Sequence, residues 1–371
     1  MRVTRALFVT VAVTAAAIQG APSVALDARI PVAPVPFRAG GKINLTYEIH
    51  FSNPSETGPA ISLSRIEILD SDTGKTLGDY TDKDLAAHLK PLRPASKHPD
   101  PLQLESGKRS VAFLWFAFDP ASSVPAHLRH RVTASTGASG TQVLECCAAQ
   151  VAAEMPLVVG PPLRGRNWLA ANGPSNSSDE HRRVVQLLHG EAYLAQRYAI
   201  DWLRFDDRDK LFTGKGSANK DFFGYGAEAL AVADAIVVSV KDGIPENKPE
   251  SIAVPISLDT IAGNCVYLDL GGQRYAAYAH LQPGSLRVKP GDKVTKGQVL
   301  ALVGNSGNSD APHLHFQITD APKILESEGF PYVIDSFDQI GHAQDFHFHA
   351  DPAPHKVVRE LPLDGVVLRF P

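Results

Sequence analysis

The segment Ala311-Pro312-His313-Leu314-His315-Phe316-Gln317 holds the residue types best suited to chemistry. With Leu314, Phe316 and Ile318 buried on one face of a strand, a period of two sends His313 and His315 to the opposite face, about 6.5–7 Å apart along the strand. Two imidazoles then share a cleft. A neutral imidazole can ligate a metal or carry a proton, and a neighbour fixes its second nitrogen, so the pair suits one metal ligand beside one proton-handling group. The competing reading is two ordinary surface histidines; His347 and His349 repeat the spacing in a tail without such a context.

The context of the first pair is ordered. Upstream come Tyr278-Ala279-His280-Leu281, then Val288-Lys289-Pro290-Gly291-Asp292-Lys293-Val294-Thr295-Lys296-Gly297-Gln298-Val299-Leu300, then Gly304-Asn305-Ser306-Gly307. Together these resemble the lysostaphin-type (LytM-like) zinc metallopeptidases, whose compact β core carries a glycine-rich turn, a Y-x-H-L strand end, a G-D-x-V-x-x-G-Q hairpin and a terminal H-L-H. The resemblance spans roughly residues 197–318. It implies that His315 is a metal ligand, His313 a catalytic histidine, and His280 a stabiliser of the reacting carbonyl.

The family's remaining ligands come from H-x-x-x-D. The Asp of that motif matches Asp201, in Arg197-Tyr198-Ala199-Ile200-Asp201-Trp202, where Tyr198, Ile200 and Trp202 alternate as the apolar face. A carboxylate opposite such a face is costly unless it binds a cation. The His position holds Arg197, whose guanidinium has no lone pair and cannot ligate zinc. Either the metal is lost or another histidine reaches in; His181, following the loop-forming Asn176-Ser177-Ser178, is preferred to His189, which sits beside Gly190 as a turn residue would. A site of His181, Asp201 and His315 would hold one Zn2+ with a fourth position open, the arrangement of catalytic zinc. The resemblance then implies metal-assisted hydrolysis of peptidoglycan peptides, or of another peptide substrate.

Two rival functions use parts of the same pattern. Lipoyl and biotinyl carrier domains share the G-D-x-V-x-x-G-Q turn but need a modifiable lysine in a tight hairpin, absent from that context, and have no use for H-L-H. A non-catalytic peptidase-like domain that binds cell wall or regulates another hydrolase fits Arg197 but not the joint retention of Asp201, His280, His313 and His315.

The elements that position these residues read as mainly β. From 224 to 241 and from 263 to 318, short β runs are closed by glycines, including Val266–Leu270, Arg274–His280 and Gln298–Val303. Upstream, Ile43–Ile49 and Ile61–Ile68 alternate apolar and polar residues, and Arg109–Phe118 and Leu128–Thr133 read as further strands at sandwich-like spacing. Pro156, Gly160, Pro161, Pro162 and Gly165 mark a linker between about 155 and 166. The expected organisation is a signal peptide over 1–25, an immunoglobulin-like β-sandwich over 26–158, a lysostaphin-type domain over 159–321, and a C-terminal extension over 322–371 whose last strand, Val357–Phe370, covers or straps the domain.

A chain of 371 residues accommodates two such cores. Its 36 basic and 40 acidic residues are dispersed, which excludes nucleic acid as a natural partner. Met1–Arg5 is positive, Ala6–Ile18 apolar and Ser23-Val24-Ala25 small, so export to a periplasm or the extracellular space is expected; an apolar run of about 13 residues falls short of a membrane span. No later segment is long and apolar enough to span. Cys146, Cys147 and Cys265 form neither a disulfide framework nor a zinc cluster and read as structural, the adjacent two pairing only with strain.

Overall fold

The computed structural model describes residues 24–371 apart from Ala95, Ala138, Ser139 and Ser178. The expected signal peptide, Val24 and Ala25 excepted, lies outside the described residues. The chain forms two compact units: one of the described residues to Ala33, Tyr47–Leu114 and Pro125–Val151, the other of Pro34–Thr46, Trp115–Val124 and Ala152–Pro371. Both are mainly β, as the sequence indicates, and among the described residues the single α-helix is the seven-residue Asp82–His88.

In the first unit Ile61–Asp70 pairs antiparallel with His127–Thr136 on one side and Thr76–Thr81 on the other, with Gly140–Gln150 at the edge beyond His127–Thr136. The apolar parity of Ile61–Asp70 changes between Leu63 and Ile66, and the ladder shifts register between Leu63 and Arg65. A bulge there keeps Ile61, Leu63, Ile66 and Ile68 all buried.

In the second unit eleven strands, among the described residues, share one sheet. In chain order they are β1 (Leu157–Val159), β2 (Gly165–Ala171), β3 (Ile200–Arg204), β4 (Ala235–Lys241), β5 (Asn264–Asp269), β6 (Tyr275–Leu281), β7 (Lys293–Val294), β8 (Leu314–Thr319), β9 (Tyr332–Gln344), β10 (His347–Glu360) and β11 (Val366–Phe370). Their spatial order is β1-β9-β11-β2-β3-β8-β6-β5-β4-β7, with β10 also paired to β9. The core on one face includes Trp168, Ile200, Trp202, Leu268, Tyr278, Leu314, Phe316 and Tyr332. Each buried aromatic removes roughly 150–250 Å² from water, so this face dominates the stability of the sheet.

Three local expectations change. The stretch read as a linker contains β1, which runs parallel to β9 with Leu157 opposite Tyr332; the prolines bracket a short strand instead of interrupting it. Val288–Leu300 is not a paired hairpin, because tight turns at 289–292 and 295–298 leave only Lys293–Val294 between them. That strand pairs with β4, whereas Val299–Leu302 pairs with Glu228–Leu230. Finally, the single strand expected over Val357–Phe370 divides: Val357–Glu360 closes β10, while Val366–Phe370 is β11, paired between β9 and β2. Strands β9 and β10 are the two longest of the sheet, and β10 is exposed or half-exposed along its whole length, so few apolar residues are required to mark its pleat.

Candidate metal centre

The register of the central strands places the site. Asp201 on β3 lies directly opposite His315 on β8, and His315 lies opposite Ala279 on β6. Directly opposed residues share a face, and the period of two sends Leu314, Phe316 and Ile318 into the core while His315 and Gln317 face the other way. His313 sits just ahead of β8, on the same side.

His280 reaches that side by a different device. It follows Ala279, so regular strand geometry would turn it away from His315; instead its φ is +65°. The left-handed residue at the end of β6 swings the ring back, to 4.8 Å from the ring of His313 and 5.7 Å from that of His315 between centroids. Its Nδ1–H donates to the Ser306 carbonyl at 2.8 Å. That carbonyl lies where a Cβ on Gly263 would come within 2.3 Å of it, so glycine is required there.

His181 comes from a short 3-10 turn, His181–Arg183, that is buried throughout. Arginines hold the turn: Arg182 Nε donates to Asn176 at 2.7 Å and its guanidinium lies 5.6 Å from the Trp115 ring centre, while Arg183 Nε donates to Asp179 at 3.0 Å. His181 Nε2 is 3.4 Å from Asp201 Oδ2. Its buried Nδ1 has the Ala199 backbone for a polar neighbour, outside ordinary hydrogen-bond geometry.

The Asp201 carboxylate is thus the hub. Oδ1 faces His315 Nδ1 at 2.9 Å and His313 Nε2 at 3.3 Å, and Oδ2 accepts from Asn172 Nδ2 at 2.9 Å. Burial alone would push its carboxyl up; the imidazoles around it, His181 and His313 foremost, hold it well below the usual carboxylate range. Burial lowers His181 to about 4 and His280 well below its usual value, whereas the charge of Asp201 overcomes burial and raises His313.

One hydrogen-bond chain fixes a tautomer. Gln317 Nε2 donates to the Ile324 carbonyl at 3.1 Å, which turns its Oε1 toward His315 Nε2 at 2.9 Å. Oε1 can only accept, so His315 Nε2 carries a proton and the neutral ring points the bare lone pair of Nδ1 at a carboxylate oxygen 2.9 Å away. Two acceptors at that distance repel unless a cation lies between them or the ring is charged.

His181, Asp201 and His315 each offer a ligand atom, all within 4.8 Å of one another. Two imidazoles and one carboxylate, buried and with room for a fourth partner, are the donors that catalytic zinc takes, so the residues fit that ion. Arg197 is elsewhere engaged: it is 2% exposed, pairs with Glu328 at 2.8 Å and donates to the Gly329 carbonyl at 2.8 Å. His189 opens a turn, with φ +51° beside Gly190, and pairs with Glu326 at the surface. Asn172, Gln317 and Phe346 join the site without a signal from motif or resemblance. For Gln317 a signal exists, since it continues the alternation of His313 and His315. The cleft around the cluster, about 440 Å³, is lined by His181, Asp201, His280, His313 and His315 together with Val184, Leu203, Ile324 and Phe346.

Residues 221–326 match the profile of Peptidase family M23. That segment is similar to the domain the family shares. Within the match fall His280, His313 and His315, while Asp201 and His181 precede it. Over 57 residues the chain is 40% identical to the peptidoglycan DD-endopeptidase ShyA of Vibrio cholerae, covering 15% of this chain and 13% of that protein. Over 56 residues it is 46% identical to Endolysin 2638A of Staphylococcus phage 2638A, covering 14% and 12%. The chain thus spans about an eighth of each relative's length. Among solved structures, the catalytic domain of lysostaphin from Staphylococcus simulans aligns at 19% identity over 44% of this chain and 88% of that one, with a TM-score of 0.24. A zinc-containing peptidase from Vibrio cholerae aligns at 12% identity over 79% and 82%, also with a TM-score of 0.24.

Proposed function

We propose that the protein is a zinc-dependent metalloendopeptidase that cleaves peptide bonds of cell-wall peptidoglycan and works outside the cytoplasm, in a periplasm or the extracellular space. The observation that carries this reading is the convergence of His181, Asp201 and His315 within 4.8 Å, with His280 and His313 beside them. The peptidoglycan substrate is taken from relatives named as a peptidoglycan endopeptidase and an endolysin. Among the described residues no helix is long and apolar enough to cross a membrane.

His181, Asp201 and His315 would hold the metal, with Asn172 and Gln317 orienting the second and third of them. Bound zinc supplies Lewis-acid polarisation of the scissile carbonyl and makes water a nucleophile at neutral pH. The protein's own groups manage the protons. Nδ1–H of His313 donates to the Ala311 carbonyl at 2.8 Å, and that of His280 to Ser306, so Nε2 is the nitrogen of each ring that gains or loses the proton; in His313 it lies 3.3 Å from Asp201 Oδ1, whose charge favours the protonated ring. His313 takes a proton from the attacking water and returns it to the leaving amine. His280 accepts a hydrogen bond while neutral and can donate to the developing oxyanion only after gaining a proton, a narrower role than the family resemblance suggests.

Metal analysis of the mature chain beside Asp201→Ala and His181→Ala, with release of peptides from purified peptidoglycan, tests the reading. One zinc per chain and peptide release are expected from the wild type, and neither from Asp201→Ala. Stoichiometric zinc in His181→Ala would refute the third ligand, and a metal-free, inactive wild type would leave the non-catalytic binding module as the better account.

A further inference from the structure

Cys146 and Cys147 lie on the edge strand Gly140–Gln150 of the first unit, remote in sequence from every residue of the metal centre. Adjacent residues of a regular strand point to opposite faces, which keeps their side chains apart. Here the two sulfurs are 2.9 Å from each other. Two features of the backbone bring this about. Cys147 has φ +54°, a left-handed conformation that a residue other than Gly, Asn or Asp rarely adopts. The ladder to His127–Thr136 also shifts register between Cys146 and Ala149, so the pair occupies a bulge. The bulge is anchored: His130 Nδ1–H donates to the Cys147 carbonyl at 2.8 Å, and Tyr47 Oη meets His130 Nε2 at 2.8 Å on the other side of the ring.

The separation lies inside ordinary nonbonded contact for two sulfurs and approaches the bond length of about 2.05 Å. Adjacent Cα atoms are only about 3.8 Å apart, closer than in ordinary disulfides, so closing such a ring requires an unusual backbone. That backbone is already present at Cys147. Both cysteines are half-buried on the edge strand, whereas Cys265 is buried in β5.

We propose that Cys146 and Cys147 are a redox site that closes as a vicinal disulfide by exchange with a disulfide oxidant, small-molecule or protein. One thiol loses its proton and attacks the oxidant, joining one of its sulfurs and expelling the other as a thiol. The second cysteine then attacks the mixed disulfide, closing the Cys146–Cys147 bond and releasing a second thiol. The two cysteines are oxidised and the oxidant's disulfide is reduced to two thiols. The inference stands independently of the peptidase reading. It goes beyond the reading of these cysteines as structural: the strain that weighs against pairing in a flat strand is here held by the bulge before any bond forms.

The test is trapping and mapping on the full chain. The protein is treated with oxidised glutathione, denatured in acid, alkylated with iodoacetamide and analysed by intact mass and peptide mapping. Alkylation at Cys146 and Cys147 is expected to fall from both sulfurs to neither, with the chain lighter by two hydrogens and Cys265 still alkylated; dithiothreitol restores both sites. In Cys146→Ser, Cys147 is expected to retain glutathione, because no neighbour expels it. Full alkylation of both cysteines after oxidation, or a stable glutathione on each, overturns the proposal, and the wild-type map decides even if the variant does not fold.

Discussion

His130 in the first unit and His315 in the second occupy similar places: each lies on an interior strand between two antiparallel neighbours, almost wholly buried, at 0% and 2% exposure. Their partners differ. His130 meets a tyrosine hydroxyl and a backbone carbonyl, so burial keeps it neutral, with its pKa lowered to about 4. His315 meets a carboxylate that two other imidazoles and an amide also approach. A lone buried histidine between neutral dipoles is a satisfied core residue, whereas several imidazoles gathered around one anion call for a cation. The anion makes the difference, and burial does not.

The sharpest way to break this contrast is to remove the anion. Asp201→Ala is expected to take bound zinc from one per chain to none and peptide release to background, while His130→Gln leaves both intact; metal analysis beside a peptidoglycan assay reads the result. Next, His313→Ala should keep its zinc and lose about 10²–10⁴-fold in kcat, as the loss of a proton-transfer group does. A fall in metal content instead would make His313 a ligand.

The neutral histidine has its own signature. Its folded pKa of about 4 lies below the unfolded value near 6.5, so the unfolded state binds more protons between these limits and stability falls as pH drops from 6.5 toward 4. The loss is on the order of 3 kcal/mol, readable as faster amide exchange in 127–136 at low pH and flattened in His130→Gln. Gln317→Leu removes the acceptor that sets the His315 tautomer and is expected to weaken zinc binding about 10–100-fold in a competitive chelator titration. Smallest is Phe346→Ala: with an exposed ring at the rim of the cleft, its loss should raise KM by two- to tenfold, about 0.5–1.5 kcal/mol, with kcat unchanged.

The parts of the site that obey a period are legible in the sequence. His313, His315 and Asp201 alternate with large apolar residues, so their common face follows from the alternation alone. His280 cannot be placed that way, because the +65° backbone at the strand end reverses its facing; only the family resemblance points to it. His181 comes within 3.4 Å of the carboxylate through a turn pinned by Arg182 and Arg183, which spacing alone does not reveal. In the fold, the alternating Ile61–Asp70 and the bulky apolar run Arg109–Phe118 are legible as strands to within a few residues. Strands β9 and β10 are not, because a hairpin exposed along its outer strand needs little apolar patterning to form.

The facing of Asp201 and His315 across two paired strands has one more consequence. A slip of one residue between β3 and β8 would turn one of the two side chains to the far surface of the sheet and take apart the cluster of candidate ligands. On the zinc-dependent reading proposed above, metal affinity would then be an assay of correct strand alignment: a chain with a misthreaded central ladder would not retain the ion, and a chain that retained it would be locked against slipping.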